Sequence, residues 1–276
     1  MKKIIISCIV LVLIIAACSA TVVKVGTVKI EGSETMLIVT KRLAHEYTKE
    51  FPNVSISVEG GGTALGIRAL INNDIDICTA SRTIEPDEAK LLAEKYRSVG
   101  VNTYLAKDAL CIYVNQSNPV QNFSLTQLKD IFTGKIKNWK EIGGNNQQIR
   151  LVIRNRNSGT FLHFKTRILE GEEFNASANV QPTFKGIIEE VEQNENAIGF
   201  GGLGAETNSV KASIDGIEPS EENIRSGRYP LVRYLHFYTL STPSGTVKDF
   251  IDWVLSPRGQ KIIEEAGFNS LFEIFY

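Results

Sequence analysis

Val54-Ser55-Ile56-Ser57-Val58-Glu59-Gly60-Gly61-Gly62-Thr63-Ala64-Leu65 is the stretch from which the fold follows. Val54, Ile56 and Val58 alternate with Ser55, Ser57 and Glu59, the period of a strand with one buried face, and the run passes straight into three glycines. Upstream, Met36, Thr40, Leu43, Ala44 and Tyr47 share one face of a helix that ends near Phe51-Pro52-Asn53. Downstream, Leu65, Ala69 and Ile71 suggest a second helix, and Ile75-Asp76-Ile77-Cys78 a further strand. The order β-α-β-α-β predicts an α/β fold with mainly parallel sheets flanked by helices. In such sheets ligands bind beyond the carboxyl ends of the strands, where the connecting loops gather.

The pattern changes twice along the remaining chain. Leu110, Ile112 and Val114 alternate with Cys111 and Tyr113 in a strand from Lys107 to Asn115, which stops at Ser117-Asn118-Pro119. Ser124-Leu125-Thr126-Gln127 has capping-box spacing, and Leu125, Leu128 and Phe132 continue a helix. Ile149 to Ile153 reads as a strand, followed by a helix with the apolar stripe Phe161, Phe164 and Ile168. After an extended stretch, Leu231 to Leu240, helical periodicity resumes at Val247, Phe250, Ile251, Val254 and Leu255, and Ser256-Pro257 ends that helix or starts the next. Two crossings imply an inserted unit: residues 26–112 and 233–276 as one lobe, 113–232 as the other.

Met1-Lys2-Lys3, the apolar run from Ile4 to Ile15 and Ala16-Ala17 follow the plan of a secretory signal over residues 1–17. The apolar run is about a dozen residues, short of the roughly 20 that span a bilayer. Ile15-Ala16-Ala17-Cys18 also resembles the lipobox of bacterial lipoproteins, which makes Cys18 the lipidated first residue and residues 18–25 a tether. Loss of Lys2 and Lys3 leaves 28 basic against 31 acidic side chains, a formal charge of −3. A mildly acidic chain gives no electrostatic footprint for nucleic acid. Cys78 and Cys111 both lie in apolar segments and read as buried thiols, with a single bridge as the alternative.

Four loops carry small, hydroxyl-bearing and glycine residues: Gly32-Ser33-Glu34-Thr35, Gly60-Gly61-Gly62-Thr63, Thr79-Ala80-Ser81-Arg82, and Arg154 with Ser158-Gly159-Thr160. A serine that opens a helix leaves backbone N–H groups and the positive end of the dipole available to an oxyanion. An arginine four residues earlier adds a fork of donors matched to phosphate oxygens. Each run alone could be an ordinary helix cap or turn. Gly199-Phe200-Gly201-Gly202-Leu203-Gly204 satisfies G-x-G-x-x-G superficially, but no amphipathic helix follows, and it reads as a loop near the cleft.

The segments I-E-G-S-E-T (30–35), G-G-G-T-A-L-G-I-R-A-L (60–70), T-A-S-R (79–82), L-K-D-I-F-T-G-K-I-K-N-W (128–139), R-N-R-N-S-G-T (154–160) and A-I-G-F (197–200), in that order, resemble the substrate-binding lipoproteins of phosphate ABC transporters. The resemblance implies a two-lobe, type II periplasmic-binding-protein fold that closes over one phosphate ion without changing it chemically. It places Arg154, Ser158, Gly159 and Thr160 on the ion from one lobe. From the other it brings Ser33, Thr35, Gly62, Thr63, Ser81 and Arg82. Glu34 stands where the commonest pattern has threonine, and Arg82 where some relatives carry an aspartate that accepts a phosphate proton. Glu34 is therefore expected either to replace that acceptor or to pair with Arg82. The implied partners are inorganic phosphate, the permease subunits of an ABC transporter, and the membrane through Cys18. The chain is expected to act as an extracytoplasmic monomer without cofactor or metal.

The rivals are another tetrahedral oxyanion such as sulfate or molybdate, a surface lipoprotein acting in adhesion or signalling, and a phosphate-ester hydrolase. His45, His163 and His236 show no metal-ligand spacing, and no G-x-S-x-G elbow occurs. His163 lies five residues after Ser158, about 140° round the helix, out of reach as its base. The chain is read as a binding protein and not an enzyme.

Overall fold

A computed structural model describes residues 25–204 and 207–272; the signal segment and Cys18 lie outside the described residues. In the first half the chain runs β1 (Gly26–Gly32), α1 (Leu37–Glu50), β2 (Val54–Glu59), α2 (Thr63–Asn72), β3 (Ile77–Ala80), α3 (Pro86–Tyr96) and β4 (Val101–Ala109). It continues through β5 (Cys111–Val114), β6 (Asn122–Phe123), α4 (Leu125–Thr133), β7 (Arg150–Arg154), α5 (Gly159–Arg167), β8 (Asn179–Gln181), α6 (Phe184–Gln193), β9 (Ala197–Gly201) and β10 (Val210–Ile214). The last elements are α7 (Glu221–Arg225), β11 (Val232–Thr239), α8 (Gly245–Leu255) and α9 (Pro257–Glu265).

Two sheets result, in the orders β2-β1-β3-β11-β4 and β6-β10-β5-β9-β7-β8. The expectation of mainly parallel sheets needs correction, because both are mixed. In the first, β1 runs parallel to β2 and β3, but β11 enters between β3 and β4 and opposes both. In the second, β5 opposes β9 and β10, while β7 is parallel to β8 and β9. A returning chain that inserts a strand cannot keep the βαβ direction that short-range alternation predicts.

The stretch from Lys107 to Asn115 is likewise two strands and not one. β4 ends at Ala109 in the first sheet and β5 starts at Cys111 in the second. Leu110 N–H donates to the Leu231 carbonyl at 2.9 Å, so the outgoing and returning connections lie side by side. Period-two alternation records which face is buried, and it is silent on which sheet does the burying.

Each sheet supports its own core. Val28, Ile30, Leu43, Tyr47, Phe237 and Phe250 pack in the first. In the second, the Phe164 ring stacks 4.0 Å from Phe200 and meets Phe132 edge-on at 4.6 Å, which fixes α5 against the sheet. The predicted face of α1 is buried throughout. In α2 the buried face is Thr63, Gly66, Ile67 and Leu70, one step round from the expected Leu65, Ala69 and Ile71. Ser256 both closes α8 and caps α9. Cys78 and Cys111 are buried free thiols, and burial pushes the Cys111 thiol up to about 12.

The capping box of α4 is formed: Ser124 Oγ accepts from Gln127 N–H at 3.0 Å, and Gln127 Oε1 accepts from Ser124 N–H at 2.8 Å. Ser124→Ala should therefore lower unfolding stability by about 1 kcal/mol. For a chain of this size that is a drop of about 2–4 °C in Tm by differential scanning calorimetry.

Candidate anion-binding site

The loops that leave the carboxyl ends of β1, β2 and β3 are stitched together by their own backbone. Ser33 N–H donates to the Thr79 carbonyl at 2.9 Å and to Thr79 Oγ1 at 2.8 Å, and Gly62 N–H donates to the Gly32 carbonyl at 2.8 Å. Ser81 N–H reaches Thr63 Oγ1 at 3.2 Å. Several amides that a sequence reading offers to a ligand are thus already engaged. Gly62, at φ +113°, serves by its conformation and close approach, since its own N–H is spent. The hydroxyls of Ser33, Thr35, Thr63 and Ser81 stand on this side as further donors, Thr63 Oγ1 lying 3.5 Å from Ser81 Oγ.

The second sheet supplies the opposing wall. Ser158 caps α5, its Oγ accepting from Phe161 N–H at 3.3 Å, so the ordinary capping role is real. The N–H groups of Gly159 and Thr160, in the first turn of α5, have no intrahelical acceptor and point with the positive end of the dipole. Ser33, Thr63, Ser81, Ser158 and Thr160 are all at most 4% exposed.

These walls meet. Thr35 Oγ1 and Thr160 Oγ1 are 3.0 Å apart, and Ala64 N–H donates to the Asn157 carbonyl at 3.2 Å. A methyl group on Gly159 would sit 2.4 Å from Thr63 Oγ1 and 2.7 Å from Ser81 Oγ. Three of the four loops therefore close on the fourth with no side-chain thickness to spare.

Arg154, the last residue of β7, is 2% exposed, whereas Arg156 is turned to solvent beside Glu173. Its Nη2 donates to the Pro182 carbonyl at 2.9 Å, and its buried Nε finds no hydrogen-bond partner among the described residues. Burial pushes this guanidinium below its ordinary pKa, the Glu34 carboxylate counters that shift, and Arg233 adds repulsion. A buried cation with an orphaned donor beside a helix N-terminus fits a small oxyanion.

Four predicted site residues are placed differently. The Arg82 guanidinium is clamped by Glu88 through two bonds of 2.7 Å and also donates to the Thr83 carbonyl, so its side chain is not aimed into the cleft as a free donor. That excludes the expected Glu34–Arg82 pair. Glu34 instead accepts from Gly61 N–H at 2.5 Å and ties the start of the first loop to the glycine loop. Ser33 and Thr35 also do not open α1 directly: a turn through Met36 intervenes, and the helix starts at Leu37.

The sequence reading missed Asp108 and Arg233. They face each other in the register of β4 and β11, with Arg233 Nε 2.8 Å from Asp108 Oδ2. The signal was present, since each is a charge inside an apolar strand, where a paired partner is the rule. Among the described residues no group of His, Cys, Asp and Glu could hold a metal ion.

His163 and His236 both lie within reach of the Arg233 charge. Burial, and after it Arg233, pushes His163 down to about 3 and His236 to about 4. Both folded values lie below the unfolded one, so stability is full above about pH 6.5, the ordinary histidine value. It falls as pH drops from there towards 4, because the unfolded chain takes up protons that the folded one excludes. Tm measured from pH 7 to 4 should decline, and His236→Gln should flatten the decline.

Comparison with known proteins gives a consistent picture. A family described as the PBP superfamily domain matches residues 19–258. The phosphate-binding protein PstS of Bacillus subtilis is 32% identical over 249 residues, covering 88% of this chain and 80% of that protein. PstS of Pseudomonas aeruginosa is 29% identical over 269 residues, covering 89% and 83%. Among solved structures, a substrate-binding protein assigned to a phosphate ABC transporter of Clostridium perfringens, with bound phosphate, superposes with a TM-score of 0.82 at 30% identity, covering 90% of this chain and all of that one. A phosphate transport receptor of Vibrio cholerae gives a TM-score of 0.74 at 29% identity, over 88% of this chain and 99% of that one.

Proposed function

Because the chain belongs to the PstS family of phosphate-binding proteins within the PBP superfamily, we propose that it captures inorganic phosphate between its two lobes and delivers it to an ABC permease. The observation that carries this reading is Arg154: a buried guanidinium with an unpartnered Nε, four residues before a helix N-terminus that meets the hydroxyls of the opposite lobe. The ion takes Arg154, the amides of Gly159 and Thr160 and the Ser158 hydroxyl from one wall. From the other it takes the hydroxyls of Ser33, Thr35, Thr63 and Ser81. Hydrogen bonds to a charged group contribute about 1.5–3 kcal/mol each, and micromolar affinity needs only about 8 kcal/mol net. Binding to one lobe leaves phosphate oxygens for donors on the other, so closure is favoured by the added contacts.

Residues 26–112 with 233–276, and 113–232, are the bodies that move. Cys18 carries the lipid that holds the protein to a membrane outside the cytoplasm, and the protein works as a monomer. Calorimetric titration of the delipidated protein with phosphate and with sulfate tests the reading. Saturable one-to-one phosphate binding with at least tenfold weaker sulfate binding is expected, and the reverse preference, or no binding of phosphate, rejects it.

Glu34 shapes the affinity. Its negative charge acts on Arg154 through space, without ion-pair contact, and opposes a bound anion, while Gln at this position keeps an oxygen for Gly61 N–H. Glu34→Gln should tighten phosphate binding a few-fold at pH 8. A weakened affinity would instead make Glu34 an acceptor for a phosphate proton.

A further inference from the structure

The Asp108–Arg233 pair sits where both connections cross between the sheets, and it reaches into the second lobe at two points. Asp108 Oδ1 accepts from Leu203 N–H at 2.8 Å, and Arg233 Nη1 donates to Thr160 Oγ1 at 3.1 Å. Asp108 is fully buried and Arg233 is 5% exposed. An ion pair this deep contributes little to stability by itself. Its geometry points to a different role.

Arg233 has donors only, so one lone pair of Thr160 Oγ1 is always occupied by an incoming hydrogen. Thr160 Oγ1 in turn shares a hydrogen with Thr35 Oγ1 across the lobes, 3.0 Å away. If Thr160 donates to Thr35, the Thr35 hydrogen points outward; if Thr35 donates to Thr160, the Thr160 hydrogen does. Either way a chain anchored by a pure donor leaves one O–H of the pair free for a ligand. We propose that Arg233, held by Asp108, is a positioning residue that fixes the Thr160–Thr35 hydroxyl pair as a hydrogen-bond donor to the bound anion. This deepens the phosphate-binding reading and rests on it. The anion need not touch Arg233, because the charge acts through Thr160, and a donor so polarised favours an unprotonated oxygen.

A double-mutant cycle tests the relay. The charge pair is replaced together, as Asp108→Asn with Arg233→Gln, so that no buried charge is left alone, and this change is combined with Thr160→Val. Phosphate affinity is measured by calorimetry at pH 5 and pH 8 for all four proteins. Thr160→Val should weaken binding about 10- to 100-fold. The paired change should weaken it about tenfold in the Thr160 protein, more at pH 8 than at pH 5, and by less than about twofold in the Thr160→Val protein. Additive losses, or equal losses at the two pH values, would overturn the relay and leave the pair a structural one. Should the paired variant lose its cooperative melting transition, Arg233→Lys takes its place in the same cycle, since it keeps the charge beside Asp108 but shortens the reach to Thr160. Failure of the unmodified protein to bind phosphate is a separate result: it rejects the function itself.

Discussion

Arg154→Met should abolish phosphate capture without harming the fold. Its guanidinium is buried, has no carboxylate at ion-pair distance among the described residues, and leaves Nε without a partner. Removing one partner of a buried, hydrogen-bonded charge pair costs about 3–5 kcal/mol, so affinity should fall at least 100-fold. Without ligand the balance runs the other way. The cation is desolvated in the free protein, and methionine of similar length removes that cost while giving up one bond to the Pro182 carbonyl. Melting curves should show a ligand-free Tm that is unchanged or raised. They should also show the several-degree rise caused by phosphate in the unmodified protein, which follows from about 2.7 kcal/mol at 100 times Kd, and no such rise in the variant. A variant that melts early yet binds phosphate normally would make Arg154 a structural residue.

Gly159→Ala should hold the lobes apart. The added methyl would lie 2.4 Å from Thr63 Oγ1 and 2.7 Å from Ser81 Oγ, and both of these belong to the opposite lobe. Within its own lobe the change is benign, because alanine is the better helix former by about 0.5–1 kcal/mol. The effect therefore falls on closure alone. Phosphate affinity should drop about 100-fold, since the donors of one wall no longer reach the ion. Small-angle X-ray scattering should show the radius of gyration shrinking on phosphate addition in the unmodified protein and staying constant in the variant. Normal compaction in Gly159→Ala would mean that the lobes meet differently from the arrangement described.

Much of this was legible in the sequence, and for identifiable reasons. Ser158 as a cap, the buried face of α1 and the Ser124 capping box follow from local spacing, and the structure repeats them. Arg154 was separable from Arg156 only through the ordered motifs around it; the strand places Arg154 inward and the next turn places Arg156 outward. Long-range pairing was not legible. That β11 would insert between β3 and β4, and that Lys107 to Asn115 would divide between two sheets, depends on pairings far apart along the chain, from Val114 with Ile198 to Cys78 with Tyr238. Arg82 was misplaced for a related reason. A basic residue in a hydroxyl-rich loop reads as a ligand donor, but Glu88 lies in the first turn of the next helix and claims both ends of the guanidinium. Amide donors were overcounted because the loops bond to one another through Thr79 and Gly32 before any ligand arrives.

The decisive experiment is a crystal structure of the delipidated protein grown with phosphate. One phosphate should lie between the lobes, bonded to Arg154 and the first turn of α5, with hydroxyls of Ser33, Thr63 and Ser81 on its far side. Phosphate bound elsewhere, or a cleft in which Arg154 turns to solvent and the two walls stay apart, would contradict it.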